Sequence, residues 1–197
     1  DICHGVFDFD EDDLYVNKST TKAPAVRTRP SIEDIKQASL MLTNAERPII
    51  LAGGGIHISG AQEALTALSR EQSIPVAHTL SGKGSIACTD ELSLGLFGRY
   101  DRTANEAIDK SDCILVVGCK LGEIATKRYT IPRPGIPIIH LDIFPEEIGR
   151  WANTDIALWG DARESLEDLR VIMSQNAETS RNRRSKYISE LNAGKLK

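Results

Sequence analysis

The stretch RPIILAGGGIHISGA, Arg47–Ala61, sets an apolar run of strand length against three glycines and a helix-like segment. Pro48 suits the first position of a strand, where no ladder donor is lost. Gly53, Gly54 and Gly55 let the chain turn sharply from strand to helix, with positive φ if the turn needs it. Free N–H groups at a helix start, with the helix dipole behind them, favour an anion. The stretch therefore has two readings, a cradle for a nucleotide phosphate or a tight βα turn. The dinucleotide fingerprint GxGxxG needs a third glycine where Ile58 stands, and a carboxylate after the next strand, which ends in AHT. The P-loop pattern needs Lys and Ser or Thr where Ala61 and Gln62 stand. Neither fingerprint is complete.

Outward from this turn, strand-like and helix-like segments alternate. SIEDIKQASLMLTNA precedes it, with Ile32, Ile35, Leu40 and Leu42 on a helical stripe, Ser31 as N-cap and Asp34 three residues on. SGAQEALTALSREQ follows as an amphipathic helix, with Ala61, Leu65 and Leu68 on one side. IPVAHT, DCILVVG, IPIIHLD and the weaker DIALWG read as further strands. TANEAIDKS and DARESLEDLRVIMSQ read as helices, the second with Leu166, Leu169, Val171 and Ile172 near one face. LSGKGSIACTDELSLGLFGRY and CKLGEIATKRYTIPRPG read as loops. Short continuous apolar strands alternating with helices predict an α/β domain with a parallel sheet covered on both faces. Ligands in such sheets bind beyond the strand carboxyl ends, which directs attention to Gly53–Gly55, Ser81–Ser85, Gly118–Gly122 and Asp142.

Composition narrows the classes. The 197 residues, 41% hydrophobic and 26% charged, suit a soluble globular domain. A net charge of -4 gives no nucleic-acid surface, and no apolar run is long enough for a membrane span. Cys3, Cys88, Cys113 and Cys119 form no CxxC pair, so they read as structural thiols in a reducing, cytoplasmic setting. His78 and His140 fall near strand ends, where they serve either a site or the core. Asp142 and Asp161 follow strands, placed for ribose or adenine contacts or for helix capping, and Asp161 directly precedes a helix. No nucleophile elbow GxSxG occurs. Residues 1–30, with the acidic DFDEDD and a Thr-, Lys- and Pro-rich stretch, read as an extended arm. Residues 31–175 read as the folded domain. Residues 176–197, basic around RNRRSK, read as a solvated linker.

Four segments now combine: RPIILAGGGIHISGAQEALTAL, IPVAHTLSGKGSI, LGLFGRYDRTANEAIDKSDCILVVGCKLGE and IIHLDIFPEEIGRWANTDIALWGDARESLEDL. In this order they resemble the central domain of thiamine-diphosphate-dependent enzymes of the acetolactate synthase type, over roughly residues 20–172. The resemblance implies a Rossmann-like three-layer domain with a mostly parallel sheet of about six strands. It implies flanking domains that bind the pyrimidine and the diphosphate of thiamine diphosphate with Mg²⁺, a 2-keto acid substrate, and a homodimeric or homotetrameric parent. This chain holds no GDG…N motif of the diphosphate-binding kind.

In relatives of this type the central domain holds FAD or an ADP-like ligand, or nothing. The resemblance places such a ligand against Gly53, Gly54, Gly55, Thr79, Leu80, Ser81, Gly98, Gly118, Lys120, Asp142, Ile143, Asp161 and Ala162, and puts Lys83 near the substrate channel. Synthases of the type carry GARFDDR where this chain has GCKLGEI, so Lys120 stands in place of an arginine, a point charge in place of a planar fork. The alternatives are a stand-alone nucleotide-binding module and a purely structural packing domain.

Overall fold

The computed structural model describes residues 17–18, 21–24, 26–99 and 103–195. The acidic cluster, Cys3 and His4 lie outside the described residues. Six parallel strands run β1 (Pro48–Ala52), β2 (Val76–His78), β3 (Ser93–Leu96), β4 (Cys113–Val117), β5 (Ile138–Asp142) and β6 (Ile156–Trp159). Their order in the sheet is β3-β2-β1-β4-β5-β6, so the winding reverses between β1 and β4. Every pairing is parallel.

The helices are α1 (Ile32–Asn44), α2 (Gly55–Ser59), α3 (Gln62–Gln72), α4 (Thr103–Asp109), α5 (Ala162–Met173) and α6 (Ala177–Lys195). Side chains alternate across a strand, and both sides of β1 are buried. Ile50 and Ala52 meet Leu42 of α1, Leu65 and Leu68 of α3, and Leu166 and Leu169 of α5. Ile49 and Leu51 meet Ala107 and Ile108 of α4, with Leu121 and Ile131 from the loop after β4. This is the Rossmann-like three-layer α/β architecture, with a sheet that is wholly parallel. No helix among the described residues is long and apolar enough to cross a membrane.

The local signals in α1 and α5 operate as the sequence implies. Ser31 caps α1, its hydroxyl accepting from the Asp34 N–H at 3.1 Å, and Asp161 caps α5 by accepting from the Glu164 N–H at 3.2 Å. The buried face of α1 is Ile35, Ala38, Ser39 and Leu42, whereas Ile32 and Leu40 face outward. In α5, Leu166 and Leu169 are buried and Val171 is exposed. Cys113 and Cys119 are buried in the core, and loss of hydration pushes their thiols up to about 12 and about 11. Cys88 is exposed.

Three sequence expectations change. The helix read over SGAQEALTALSREQ begins only at Gln62, because Gly60 adopts φ 64° and separates α3 from α2, which ends at Ser59. The segment read as a loop after β2 contains β3, an edge strand interrupted by Gly95 at φ 74°. Residues 177–195 are not a solvated linker in conformation but a helix, α6, packed on α3 and α4 with Arg184 and Tyr187 buried. Arg184 donates to the carbonyls of Leu42, Ala45 and Gln72, where α1 and α3 end. α6 thus closes the sheet edge at which the strands begin, opposite the edge where ligands bind in such folds.

The arm residues next to α1 are also docked. Asp161 donates its N–H to Thr28 O at 2.9 Å, and Arg29 pairs with Glu164 and Asp168.

Candidate ligand cleft at the strand carboxyl ends

At the reversal point the loops after β1 and β4 touch backbone to backbone. A Cβ on Gly53 would lie 2.1 Å from Gly118 O, and one on Gly118 would lie 2.7 Å from Gly55 Cα. Gly53 donates its N–H to Val117 O at 2.9 Å, and Gly55 donates to Gly118 O at 3.0 Å. The structure gives these glycines a packing role: they allow two turns to cross where side chains would collide. Gly54 faces Ser81, with 3.1 Å from a notional Cβ to the Ser81 Cβ.

A cleft of about 460 Å³ opens beside this crossing, between the ends of β4, β5 and β6 and the docked arm. Its size lies within the ~300–1,000 Å³ of small-molecule sites. Of the thirteen residues singled out in the sequence, Gly55, Gly118, Lys120, Asp142, Ile143, Asp161 and Ala162 line it. Gly53, Gly54, Thr79, Leu80, Ser81 and Gly98 do not. Thr79 to Ser81 form the turn after β2, where the Thr79 hydroxyl accepts from the Gly82 N–H at 3.0 Å. Gly98, at φ 116°, is bound on both sides of its peptide by Asn105.

Sequence reasoning missed Pro24, Val26, Ile58, Ser59, Leu141, Phe144 and Gly160, which complete the lining. Val26, Ile58 and Phe144 are 68%, 65% and 59% exposed and form an apolar rim to the cleft. Isolated exposed apolar residues need no explanation, but a cluster at a cleft marks a binding surface. Their sequence signal was slight, since Val26 lies in the irregular arm, Ile58 in the helix-like segment after the glycines and Phe144 just beyond a strand.

The polar groups of the cleft are arranged tightly. Asp161, only 3% exposed, accepts from the Ser59 hydroxyl at 2.9 Å and from the Arg27 guanidinium at 2.7 Å, besides capping α5. Ser59 also accepts the Arg163 N–H at 3.0 Å. Asp142 accepts from the Phe144 N–H at 3.0 Å, and burial holds its carboxyl above the usual carboxylate range. Lys120 pairs with Glu147 at 3.3 Å, and Arg150 contacts the same carboxylate at 3.3 Å. Lys83 is exposed, its carbonyl 3.0 Å from the His57 ring.

The two histidines near strand ends are core struts. His78 is buried with Nδ1 2.9 Å from Thr79 O. His140 accepts the Gly149 N–H on Nδ1 at 3.4 Å, which leaves Nε2 to donate to Cys119 O at 3.1 Å. Both ring nitrogens are thus used by the neutral form. Burial accordingly lowers its pKa from the ordinary 6.5. The unfolded chain then takes up a proton near 6.5 that the folded chain resists, so stability is lost as pH falls below that value. The raised carboxyl of Asp142 acts in the opposite sense, its ionisation opposing the fold as pH rises above 3.8. The melting temperature should fall between pH 6.5 and pH 5 in the wild type, and less steeply in His140→Gln. Equal slopes in paired thermal melts would remove His140 as the cause.

Among the described residues, no group of three or more His, Cys, Asp or Glu side chains could hold a metal ion.

With this geometry in place, comparison with known proteins is direct. Residues 35–169 match the family model of the thiamine pyrophosphate enzyme central domain. The chain is 41% identical over 136 residues to a "Probable acetolactate synthase large subunit" of Methanocaldococcus jannaschii, covering 68% of this chain and 23% of that protein. It is 36% identical over 166 residues to a protein of the same name from Methanococcus aeolicus, covering 81% of this chain and 28% of that protein. It is 30% identical over 169 residues to acetolactate synthase 3, chloroplastic, of Brassica napus, covering 85% of this chain and 26% of that protein. The chain thus spans about a quarter of the length of the curated relatives it matches.

Proposed function

We propose, for a chain that belongs to the family of thiamine pyrophosphate enzyme central domains, that it is the non-catalytic middle of an acetolactate synthase-like enzyme. The observation that carries this is the match of residues 35–169 to the central-domain family, over the segment that folds as the Rossmann-like sheet. In this reading, flanking domains hold thiamine diphosphate and Mg²⁺. The cofactor supplies an ylid that stabilises a carbanion derived from a 2-keto acid. The residues of this chain would position those domains, with the arm before α1 leaving one and α6 leading toward the other.

The finer proposal concerns the cleft. An FAD or ADP ligand divides into a base, a ribose and a diphosphate, and the residues present suit these parts unequally. Ile58, Ile143 and Phe144 offer apolar surface to a flat base. The Asp142 carboxylate is placed to accept hydrogen bonds from a ribose diol. The Gly53 and Gly55 N–H groups already bond to Val117 and Gly118. These residues therefore suit the adenosine portion better than the diphosphate.

The purified chain, supplied with thiamine diphosphate, Mg²⁺ and pyruvate, should form no acetolactate. Measurable turnover would contradict a non-catalytic role. A saturating adenine nucleotide at about 100 times its dissociation constant should raise stability by about 2.7 kcal/mol, read as a thermal shift. The absence of any shift would favour the purely structural packing domain.

A further inference from the structure

We propose, on the reading that the cleft holds an adenosine moiety, that it recognises base and ribose and is blind to phosphate, so a nucleoside binds as tightly as its diphosphate. The reason lies in how most of the N–H groups at the two helix starts beside the cleft are already bonded, those of Gly54 and Ala162 excepted. A helix start favours an anion through its free N–H groups and its dipole. At α2, the Gly55 N–H is bound to Gly118 O at 3.0 Å, and the preceding Gly53 N–H to Val117 O at 2.9 Å. At α5, the Arg163 N–H is bound to the Ser59 hydroxyl at 3.0 Å and the Glu164 N–H to Asp161 Oδ1 at 3.2 Å. The N–H of Asp161 itself goes to Thr28 O at 2.9 Å. The anion that α5 attracts is part of the chain: the buried Asp161 carboxylate.

The side-chain cations are committed in the same way. Arg27 lies 2.7 Å from Asp161, and Lys120 lies 3.3 Å from Glu147. The Lys120 side chain is 70% exposed and the Glu147 side chain only 11%. Turning Lys120 toward a phosphate exchanges one exposed pairing for another, which gains little. It also leaves the buried Glu147 carboxylate with Arg150 alone. Two carboxylates, Asp142 and Asp161, line the cleft, and either would repel a nearby phosphate. What the cleft offers without rearrangement is apolar surface and an acceptor, which suits a neutral, planar ligand that carries hydroxyl donors.

The test is calorimetric titration of the purified chain with adenosine, ADP and FAD. Adenosine and ADP should bind with dissociation constants within about threefold of each other, far below the tenfold that 1.4 kcal/mol of phosphate recognition would give. Raising NaCl from about 50 to about 500 mM should leave the ADP constant nearly unchanged, since salt weakens only charge-dependent contacts. Binding of ADP more than about tenfold tighter than adenosine overturns the inference while leaving an adenine cleft intact. Binding of FAD without adenosine overturns it differently, by placing the affinity in the flavin. Failure of all three ligands to bind removes the adenosine reading itself, and the inference with it. The variant Glu147→Gln releases Lys120 and should shift preference toward ADP by about fivefold, the size of a modest charge contact. An unchanged ratio in that variant would contradict the role given to the Lys120–Glu147 pair.

Discussion

Arg184→Ala is expected to destabilise the domain by about 4 kcal/mol, the largest effect of any single side-chain truncation considered. Arg184 is fully buried and stands on a helix whose other residues are mostly polar and exposed. Among the described residues its guanidinium forms no ion pair, although the Asp112 carboxylate lies near enough to favour its charge. The guanidinium donates instead to three carbonyls, at 3.2 Å to Ala45 O and also to Leu42 O and Gln72 O. These oxygens lie where α1 and α3 end, and helix ends leave carbonyls without intrahelical partners. The negative ends of two helix dipoles stabilise the cation. Burial pulls its pKa down to about 10, so it stays charged at neutral pH. Truncation removes three hydrogen bonds and leaves up to three buried acceptors orphaned, at roughly 1–3 kcal/mol each before relaxation. Water entering the vacated space recovers part of this. Arg184→Lys keeps the charge but loses the fork, and should cost about half as much. Urea denaturation of the three proteins checks the order. A loss below about 1 kcal/mol for Arg184→Ala would show that α6 is an appendage.

Gly53→Ala is the second large effect, expected at about 3 kcal/mol or failure to fold. The added Cβ would lie 2.1 Å from Gly118 O and 2.6 Å from Cys119 Cα, both backbone, so no rotamer change relieves it. Relief requires the turns after β1 and β4 to part at the centre of the sheet. Two other glycines calibrate the claim. Gly60 has open space but φ 64°, so Gly60→Ala should cost only about 1 kcal/mol of left-handed strain. Gly122 has open space and no positive φ, so Gly122→Ala should lie within about 0.5 kcal/mol of wild type. Equal effects at Gly53 and Gly122 would show that the crossing is loose.

These two residues also mark what the sequence disclosed and what it hid. The three glycines announced a sharp βα turn, and the apolar runs at β1 and β4, with the largely apolar β5, announced a buried parallel sheet. The purpose of the glycines was hidden, because the partner that forbids a side chain, Gly118, lies 65 positions away. β3 was hidden because SLGL is short, lies at an edge and carries a glycine at positive φ. α6 was hidden because periodicity searches follow apolar residues, and its anchor is an arginine. Only the spacing of Ser180, Arg184, Tyr187 and Leu191 along one face hinted at a buried stripe. In the cleft, Asp142 and Asp161 were legible from their places after strands, and Lys120 from the resemblance to the synthases. The rim residues Val26, Ile58 and Phe144 were not, since a cleft wall draws on distant segments that carry no shared motif.

The most direct measurement replaces the matching segment of the Methanocaldococcus jannaschii relative with residues 35–169 of this chain and assays acetolactate formation. At 41% identity the sheet, the glycine crossing and the helix faces should carry over. A folded chimera that retains acetolactate formation within about tenfold of the parent is the expected result for a positioning domain. A folded chimera that binds thiamine diphosphate normally yet forms no acetolactate would contradict it, and would place groups essential to the chemistry within this segment.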